Sequence, residues 1–343
     1  MAKRLPAEWH HQSAVMLTWP HNRSDWQPVL DQVEPVFVAI TKAISQYQKV
    51  MINCFSKTQQ LHIKSLLSAA NIDSTSIIFT LCPSNDTWVR DYGPITIYNN
   101  SQPYLLDFTF NAWGNKFESE KDNQITRLQH QSGAFGDTVI ETVDLVLEGG
   151  SIEVDGQGTL LTTEACLLAP NRNPHLNRSE LEQILSEKLG VQRILWLKNG
   201  YLAGDDTDSH IDTLARFCDA HTICHVSCND IHDEHYEALK AMEEELKSFK
   251  TVQGKPYRLI PLPWPKAKYS EGVHRLPASY ANFLIINGAV LLPTYNDPAD
   301  EAAVTCLKQC FPNRKIITIP CESIIQQYGS LHCLTMQLPD GVL

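Results

Sequence analysis

Apolar and polar positions along the chain follow a pattern that returns several times. A short apolar strand leads into a turn rich in Asn, Asp and Pro. An amphipathic helix follows, and then a Val/Ile-rich strand. The first unit runs from Ala14-Val15-Met16-Leu17-Thr18-Trp19-Pro20 through a helix near 29–48 to Val50-Met51-Ile52-Asn53. The second opens at Pro94-Ile95-Thr96-Ile97-Tyr98, continues as Leu105-Leu106-Asp107-Phe108, and is less regular afterwards. The third joins Thr159-Leu160-Leu161-Thr162-Thr163 to Arg193-Ile194-Leu195-Trp196-Leu197 through a helix at 179–189. In the fourth, Ala220 to Val226 and Tyr257 to Leu262 flank a charged helix near 232–249. The fifth places Phe283 to Ile286 and Ala289 to Pro293 before a helix near 299–311 and the strand Lys315 to Pro320.

A helix with one apolar face cannot bury it alone. Five such units, roughly 55–80 residues apart, therefore suggest a repeat architecture closed into a ring. An open, doubly wound α/β sheet alternates the same elements, and the pattern does not separate the two. Neither G-x-G-x-x-G nor G-x-x-x-x-G-K-[ST] occurs, so neither signature of a classical nucleotide fold is present.

Composition narrows the function. With 43% hydrophobic residues among 343, the chain can build a sizeable core and is not expected to be disordered. Lys plus Arg total 28 against 39 Asp plus Glu, a formal net charge of −11. That balance argues against nucleic-acid binding and suits a cationic small substrate. No apolar run of 18 residues occurs, so no membrane-spanning helix is expected. Met1 to Trp9 holds two cations without an apolar stretch, so a cytoplasmic protein with ten reduced cysteines is the expectation.

Four segments concentrate chemistry. In Gly204-Asp205-Asp206-Thr207-Asp208-Ser209-His210-Ile211-Asp212, four carboxylates and a His crowd together, and in extended backbone His210 and Asp212 would share a side. Its alternatives are a solvated acidic loop or a cation site. Trp88-Val89-Arg90-Asp91-Tyr92-Gly93-Pro94 offers an aromatic ring and a carboxylate, a natural cup for a planar cation, unless Arg90 and Asp91 only knit a turn. Glu148-Gly149-Gly150-Ser151 ends an apolar strand where backbones can approach closely. Cys333, after Gly329-Ser330-Leu331-His332, is a candidate nucleophile. Adjacent strand residues diverge, which makes His210 rather than His332 its candidate base. His221, Cys224, His225 and Cys228 resemble zinc ligands, but positions on one strand alternate faces and cannot converge.

Taken together these segments resemble the agmatine deiminase family, within the guanidino-group-modifying superfamily related to peptidyl-arginine deiminases. The likeness spans nearly the whole chain. It covers Pro6-Ala7-Glu8-Trp9, Leu17-Thr18-Trp19-Pro20, Trp88-x-Arg90-Asp91-x-Gly93-Pro94 and Glu148-Gly149-Gly150-Ser151. It continues through Asp206-Thr207-Asp208-x-His210-Ile211-Asp212, Arg216-Phe217, Ser279-Tyr280-x-Asn282-Phe283 and Gly329-x-x-His332-Cys333-Leu334-Thr335. The family usually has Gly immediately before the His, where this chain has Ser209. A Gly-rich run usually precedes the Cys, where this chain reads Tyr328-Gly329-Ser330.

The resemblance implies a five-bladed pseudo-symmetric α/β propeller, the pentein fold, with residues 1–343 as one catalytic domain. It implies hydrolysis of a small guanidinium substrate, agmatine first, without metal or cofactor. Cys333 would be the nucleophile and His210 the acid–base group. Asp91 and Asp212 would hold the cation, and Glu148 would orient His210 or serve the fold. Trp88, Asp206 and Asn282 would lie against substrate, and a homodimer is expected by analogy. The rival substrates are free arginine, with Arg90, Arg216 or Arg275 clamping its carboxylate, and peptidyl arginine. Further alternatives are a binder of guanidines or polyamines that does no chemistry, and a metal-dependent hydrolase built on His210 and the Asp cluster.

Overall fold

The computed structural model describes residues 3–343. Its architecture is mixed α/β. Among the described residues, five units repeat one order of strands. A first strand pairs antiparallel with a middle strand, which pairs parallel with a third after a helical crossover. The middle strands are Gln12–Thr18, Gln102–Thr109, Thr159–Thr163, Thr222–Val226 and Ala289–Thr294. Their parallel partners are Lys49–Cys54, Val139–Val146, Arg193–Leu197, Arg258–Leu262 and Lys315–Pro320.

The crossover helices follow the predicted periodicity. Leu30–Ser45 buries Val33, Val36, Phe37, Ile40 and Ile44, the i, i+3, i+4 spacing of one apolar face. Arg178–Leu189 is bounded by chemistry that the sequence writes out. Asn177 and Glu180 form a reciprocal capping box, and Gly190 ends the helix at φ 72°. The cap contributes about 1 kcal/mol. Tyr236–Ser248 and Asp300–Cys310 complete the fourth and fifth crossovers. Cys224 of the fourth middle strand packs in the main core, and the neighbouring His225 faces the Val226 carbonyl at 3.0 Å.

Each first strand is short, and in four of the five units a helical turn stands directly before it. Val89–Tyr92 precedes Ile95–Asn99, Gly149–Ser151 precedes Glu153–Val154, and Ile211–Thr213 precedes Ala215–Asp219. His332–Leu334 precedes Met336–Pro339. Before Leu284–Ile286 the chain turns at Ser279 to Asn282, with an Asn282 N–H donating to the Ser279 carbonyl. Val89–Tyr92 packs against both Gly149–Ser151 and His332–Leu334, and Gly149–Ser151 against Ile211–Thr213. Met336–Pro339 pairs with Gln12–Thr18, so the last strand completes the first sheet.

Three features depart from the expected pattern, the first being Lys3–Arg4, which pairs antiparallel with Ile95–Asn99 at the edge of the second sheet. Ile77–Leu81 adds a fourth strand to the first sheet after the helix Lys57–Ala69. A separate hairpin, Lys268–Ser270 with His274–Leu276, stands outside the five units. Among the described residues no helix is long and apolar enough to cross a membrane.

Candidate active site

The turns before the first strands bring the sequence-predicted groups together. Asp91 sits on Val89–Tyr92, buried, with Oδ1 accepting the Gly150 N–H at 2.9 Å and Oδ2 accepting the Trp113 indole N–H at 2.9 Å. Asp212 lies on Ile211–Thr213. This is a 3-10 turn, so the expected extended backbone at His210–Asp212 is corrected: the Thr213 and Leu214 N–H groups donate to the His210 and Ile211 carbonyls and close the turn. Asp212 Oδ2 accepts from His332 Nδ1 at 2.7 Å, while its buried Oδ1 finds no hydrogen-bond partner among the described residues. His210 Nδ1 faces Asp91 Oδ1 at 3.6 Å, and neither ring nitrogen has a hydrogen-bond partner among the described residues.

Cys333 is 6% exposed, with Sγ 3.5 Å from Asn282 Oδ1 and 3.9 Å from Asp212 Oδ2. Asn282 was expected to lie against substrate. Here it stands behind the nucleophile, where its Oδ1 accepts the His332 N–H at 2.8 Å and fixes the turn carrying Cys333. Glu148 is fully buried. Its Oε1 accepts from Arg172 Nε at 2.8 Å, and Arg172 also donates to Asp208 Oδ2 at 2.6 Å.

A cavity of about 190 Å³ opens beside these groups, lined by Asp25, Asp86, Trp88, Asp91, Trp113, Phe117, Asp206 and Cys333 among others. No Lys or Arg lines it among the described residues. The three arginines expected as carboxylate clamps lie elsewhere. Arg90 donates to Gln337 at 2.6 Å, and buried Arg216 pairs with Glu153 and Glu8 at 2.8 and 2.9 Å. Arg275 pairs with Asp233 at 2.6 Å.

Charge is unbalanced around the cavity. Burial raises the Asp91 carboxyl well above its usual range, and Asp212 and Glu148 push it further. Burial, then Asp212 and Asp91, raise the Cys333 thiol well above its own. Burial lowers His210 to about 3, so its ring is neutral. Burial would also raise Asp212, but the hydrogen bond and charge of His332 hold it below the ordinary carboxylate range. A buried cation placed between Asp91 and Asp212 would lower the raised Asp91 and Cys333 values and keep His210 neutral.

Several participants carried no clear signal in the sequence. His332, set aside because adjacent side chains diverge, links Asp212 to Glu8: its Nε2 lies 2.7 Å from Glu8 Oε2. Burial, Arg216 and Arg90 drive that ring toward neutrality, while Glu8 and Asp212 draw it back toward the charged form. Trp113 occupies a run of positive φ, with Ala112 at 49°, Trp113 at 55°, Gly114 at 92° and Asn115 at 62°. Such backbone persists where surroundings enforce it, often at functional sites. Arg172 stood in a turn read only as Pro/Asn-rich.

The two departures from the family pattern now have a physical meaning. Ser209 adopts φ 66° and Tyr328 φ 64°, the left-handed region in which glycine is unstrained. Both bear side chains where the backbone favours none. Gly329, by contrast, is retained, and a Cβ there would run into the Trp88 ring.

The family model of the Porphyromonas-type peptidyl-arginine deiminases matches residues 4–339. The chain belongs to that family. An agmatine deiminase from Ectopseudomonas mendocina is 34% identical over 98% of this chain and 95% of its own length. A C. jejuni agmatine deiminase, solved in a Cys-to-Ser form with substrate bound, is 41% identical with a TM-score of 0.92, covering 99% of this chain and 97% of that one. A Porphyromonas gingivalis structure described as a candidate arginine deiminase is 47% identical with a TM-score of 0.92, covering 99% of each chain.

Proposed function

We propose that this family member hydrolyses agmatine to N-carbamoylputrescine and ammonia. The observation that carries the reading is the cavity itself. Cys333, buried Asp91 and further carboxylates line it, buried Asp212 stands 3.9 Å from the Cys333 sulfur, and the described lining holds no cation. A guanidinium with a cationic amine tail suits that charge pattern. Free arginine would bring a carboxylate against Asp206 and Asp86, and Lys116 beside them is already engaged, donating to the Asp206 carbonyl at 2.6 Å and to Asp208 Oδ1 at 2.9 Å.

In this reading Asp91 and Asp212 each accept N–H bonds from the planar cation and fix its orientation. The arriving charge offsets the carboxylates that hold the Cys333 thiol protonated, so the thiol can pass its proton to neutral His210. The thiolate attacks the guanidinium carbon, and a tetrahedral adduct forms. Its C–N bond breaks as His210 returns the proton to the departing ammonia, leaving an amidino thioether on sulfur. His210 then takes a proton from water, which attacks the same carbon. As the C–S bond breaks, the adduct's hydroxyl gives its proton to solvent and becomes the ureido carbonyl, and His210 returns the other proton to sulfur. Glu148, held by Arg172, orients His210, and Trp88 packs along the substrate. Asp206 holds the tail amine. Burial raises its pKa while Lys116 draws it down, so the substrate's amine would add to the charge that favours its ionised form.

The five equivalent units, the packed turns and the closure of the first sheet by the last strand support a single domain arranged as a five-bladed propeller, with the turns gathered on its axis. Membership of a peptidyl-arginine deiminase family keeps a second reading in play, in which arginine or a peptide ending in arginine is the substrate. Ammonia release measured across agmatine, arginine and such a peptide separates them: agmatine should be turned over at least tenfold more efficiently than either. The Cys333→Ser variant should keep its melting temperature and release no ammonia. Normal turnover by that variant would refute the mechanism.

A further inference from the structure

Cys166 has no part in the chemistry above, yet it lies against its centre. It sits on the short helix Glu164–Leu167 directly after the middle strand Thr159–Thr163. The Thr163 hydroxyl accepts the Cys166 N–H at 3.3 Å and donates to the Ser209 carbonyl at 2.9 Å, joining this helix to the residue before His210. Ligand atoms of Glu148, Cys166 and His210 all lie within 4.8 Å of one another, and all three side chains are buried.

We propose that Glu148, Cys166 and His210 form a binding site for a borderline-soft divalent cation of the zinc class, and that an ion bound there takes His210 out of the reaction. Three observations carry the site. The donor set is imidazole, thiol and carboxylate, a mixed N/S/O combination that zinc accepts while keeping a fourth position for water. The atoms are available: both His210 ring nitrogens and Glu148 Oε2 are buried without hydrogen-bond partners among the described residues. Arg172 occupies the other Glu148 oxygen, Oε1, and so aims the carboxylate, as partners of metal ligands commonly do.

The spacing is close to what zinc requires. Bonds of roughly 2.0–2.3 Å in a tetrahedron set ligand atoms about 3.3–3.7 Å apart. Side-chain rotations that draw the donors together by roughly 1 Å would complete the site. A Cys166 thiolate and Glu148 balance the ion's two charges, with the thiol proton released to solvent. Entry would be from the substrate cavity, past Asp91 and Thr207. The inhibitory half of this proposal rests on the proton-transfer role given to His210. The binding half does not.

Cobalt(II), added alone to metal-free protein, reports the ligands directly. The expected result is a near-ultraviolet thiolate-to-cobalt band with tetrahedral d–d absorption, displaced by zinc. It should survive Cys333→Ser and vanish in Cys166→Ser. In parallel, zinc should inhibit ammonia release by the unsubstituted protein. Cys166→Ser should turn over agmatine normally and need over about 100-fold more zinc for the same inhibition, since losing a direct ligand exceeds the effect of losing a partner behind one. Cys166→Ala repeats the test if the serine variant unfolds. A thiolate band lost in Cys333→Ser but kept in Cys166→Ser would place the ion on the nucleophile and overturn the proposal, as would the lack of any thiolate band. A cobalt band that depends on Cys166, in a protein that releases no ammonia from any guanidine, would uphold the site and refute the functional reading instead.

Discussion

Gly150→Ala should remove activity while leaving the fold standing. Gly150 has no positive φ, so alanine adds no backbone strain. The added Cβ would instead meet His210 Nδ1 at 2.6 Å, Asp91 Oδ1 at 2.8 Å and Asp212 Oδ2 at 3.1 Å. Three groups of the proposed mechanism thus converge on space that only a hydrogen can share. Restoring ordinary contact requires His210 to move by about 0.8 Å and Asp91 by about 0.6 Å. Overpacking of this size costs about 1–3 kcal/mol of stability. A misplacement near 1 Å costs about 100-fold in rate, about 2.7 kcal/mol of barrier. The assay is steady-state ammonia release from agmatine beside a thermal melt. Gly149→Ala is the comparison, because its Cβ would press on the Arg90 carbonyl, a backbone atom, and should damage folding more than Gly150→Ala does. A folded Gly150→Ala protein that turns over agmatine at the unsubstituted rate would show that these groups do not act from the positions described.

Three further outcomes follow from the same geometry. Burial and acidic neighbours raise the Asp91 pKa, so a bound guanidinium should lower it and release protons on binding wherever the free group is partly protonated. Agmatine affinity for the Cys333→Ser protein should then weaken as pH falls through the raised pKa; titration calorimetry in two buffers of different ionisation enthalpy measures the release, and none observed counts against Asp91 as a cation ligand. At Ser209, in the left-handed region, Ser209→Val should be less stable than Ser209→Gly by about 1–2 kcal/mol in denaturant unfolding, and equal midpoints would contradict the backbone assignment. His210 has a folded pKa of about 3 against an ordinary 6.5, so the stability tied to its neutral ring is complete above pH 6.5 and is lost as pH falls toward 3. His210→Gln should lose less stability than the unsubstituted protein between pH 7 and pH 4, roughly that same window, and parallel profiles would refute the neutral assignment.

Much of this site was legible residue by residue. Asp91, His210, Asp212 and Cys333 stand in segments where carboxylates, Gly and His crowd beside strands, and polar groups in such density need a partner or a function. The middle strands announced themselves as short apolar runs, four of the third strands through Val and Ile, and the helices through their period, whereas Val139–Val146 fell where the second unit reads as irregular. First strands were harder. Glu153–Val154 is two residues long, too short for any alternation to show. Glu8 belonged to a recognisable segment, but nothing local says that its carboxylate meets Arg216, His332 and the Ile285 N–H. Trp113 was hidden for a similar reason, since its partner Asp91 lies on a different turn.

The sequence by itself determined the local grammar: which stretches become strand, turn or helix, and which turns hold reactive side chains. Those are settled by propensity, periodicity and chemistry within a few residues. Tertiary structure alone decided which groups meet. It joined Met336–Pro339 to Gln12–Thr18 across nearly the whole chain, and seated Cys333 against Asp212 and Asn282. It turned Arg90 and Arg216 away from the cavity, and brought Cys166 beside His210 and Glu148. Protonation follows the same division. A residue's type sets its ordinary pKa, but burial and neighbouring charge, which exist only once distant turns pack together, push Asp91 and Cys333 toward holding their protons and His210 toward losing its own.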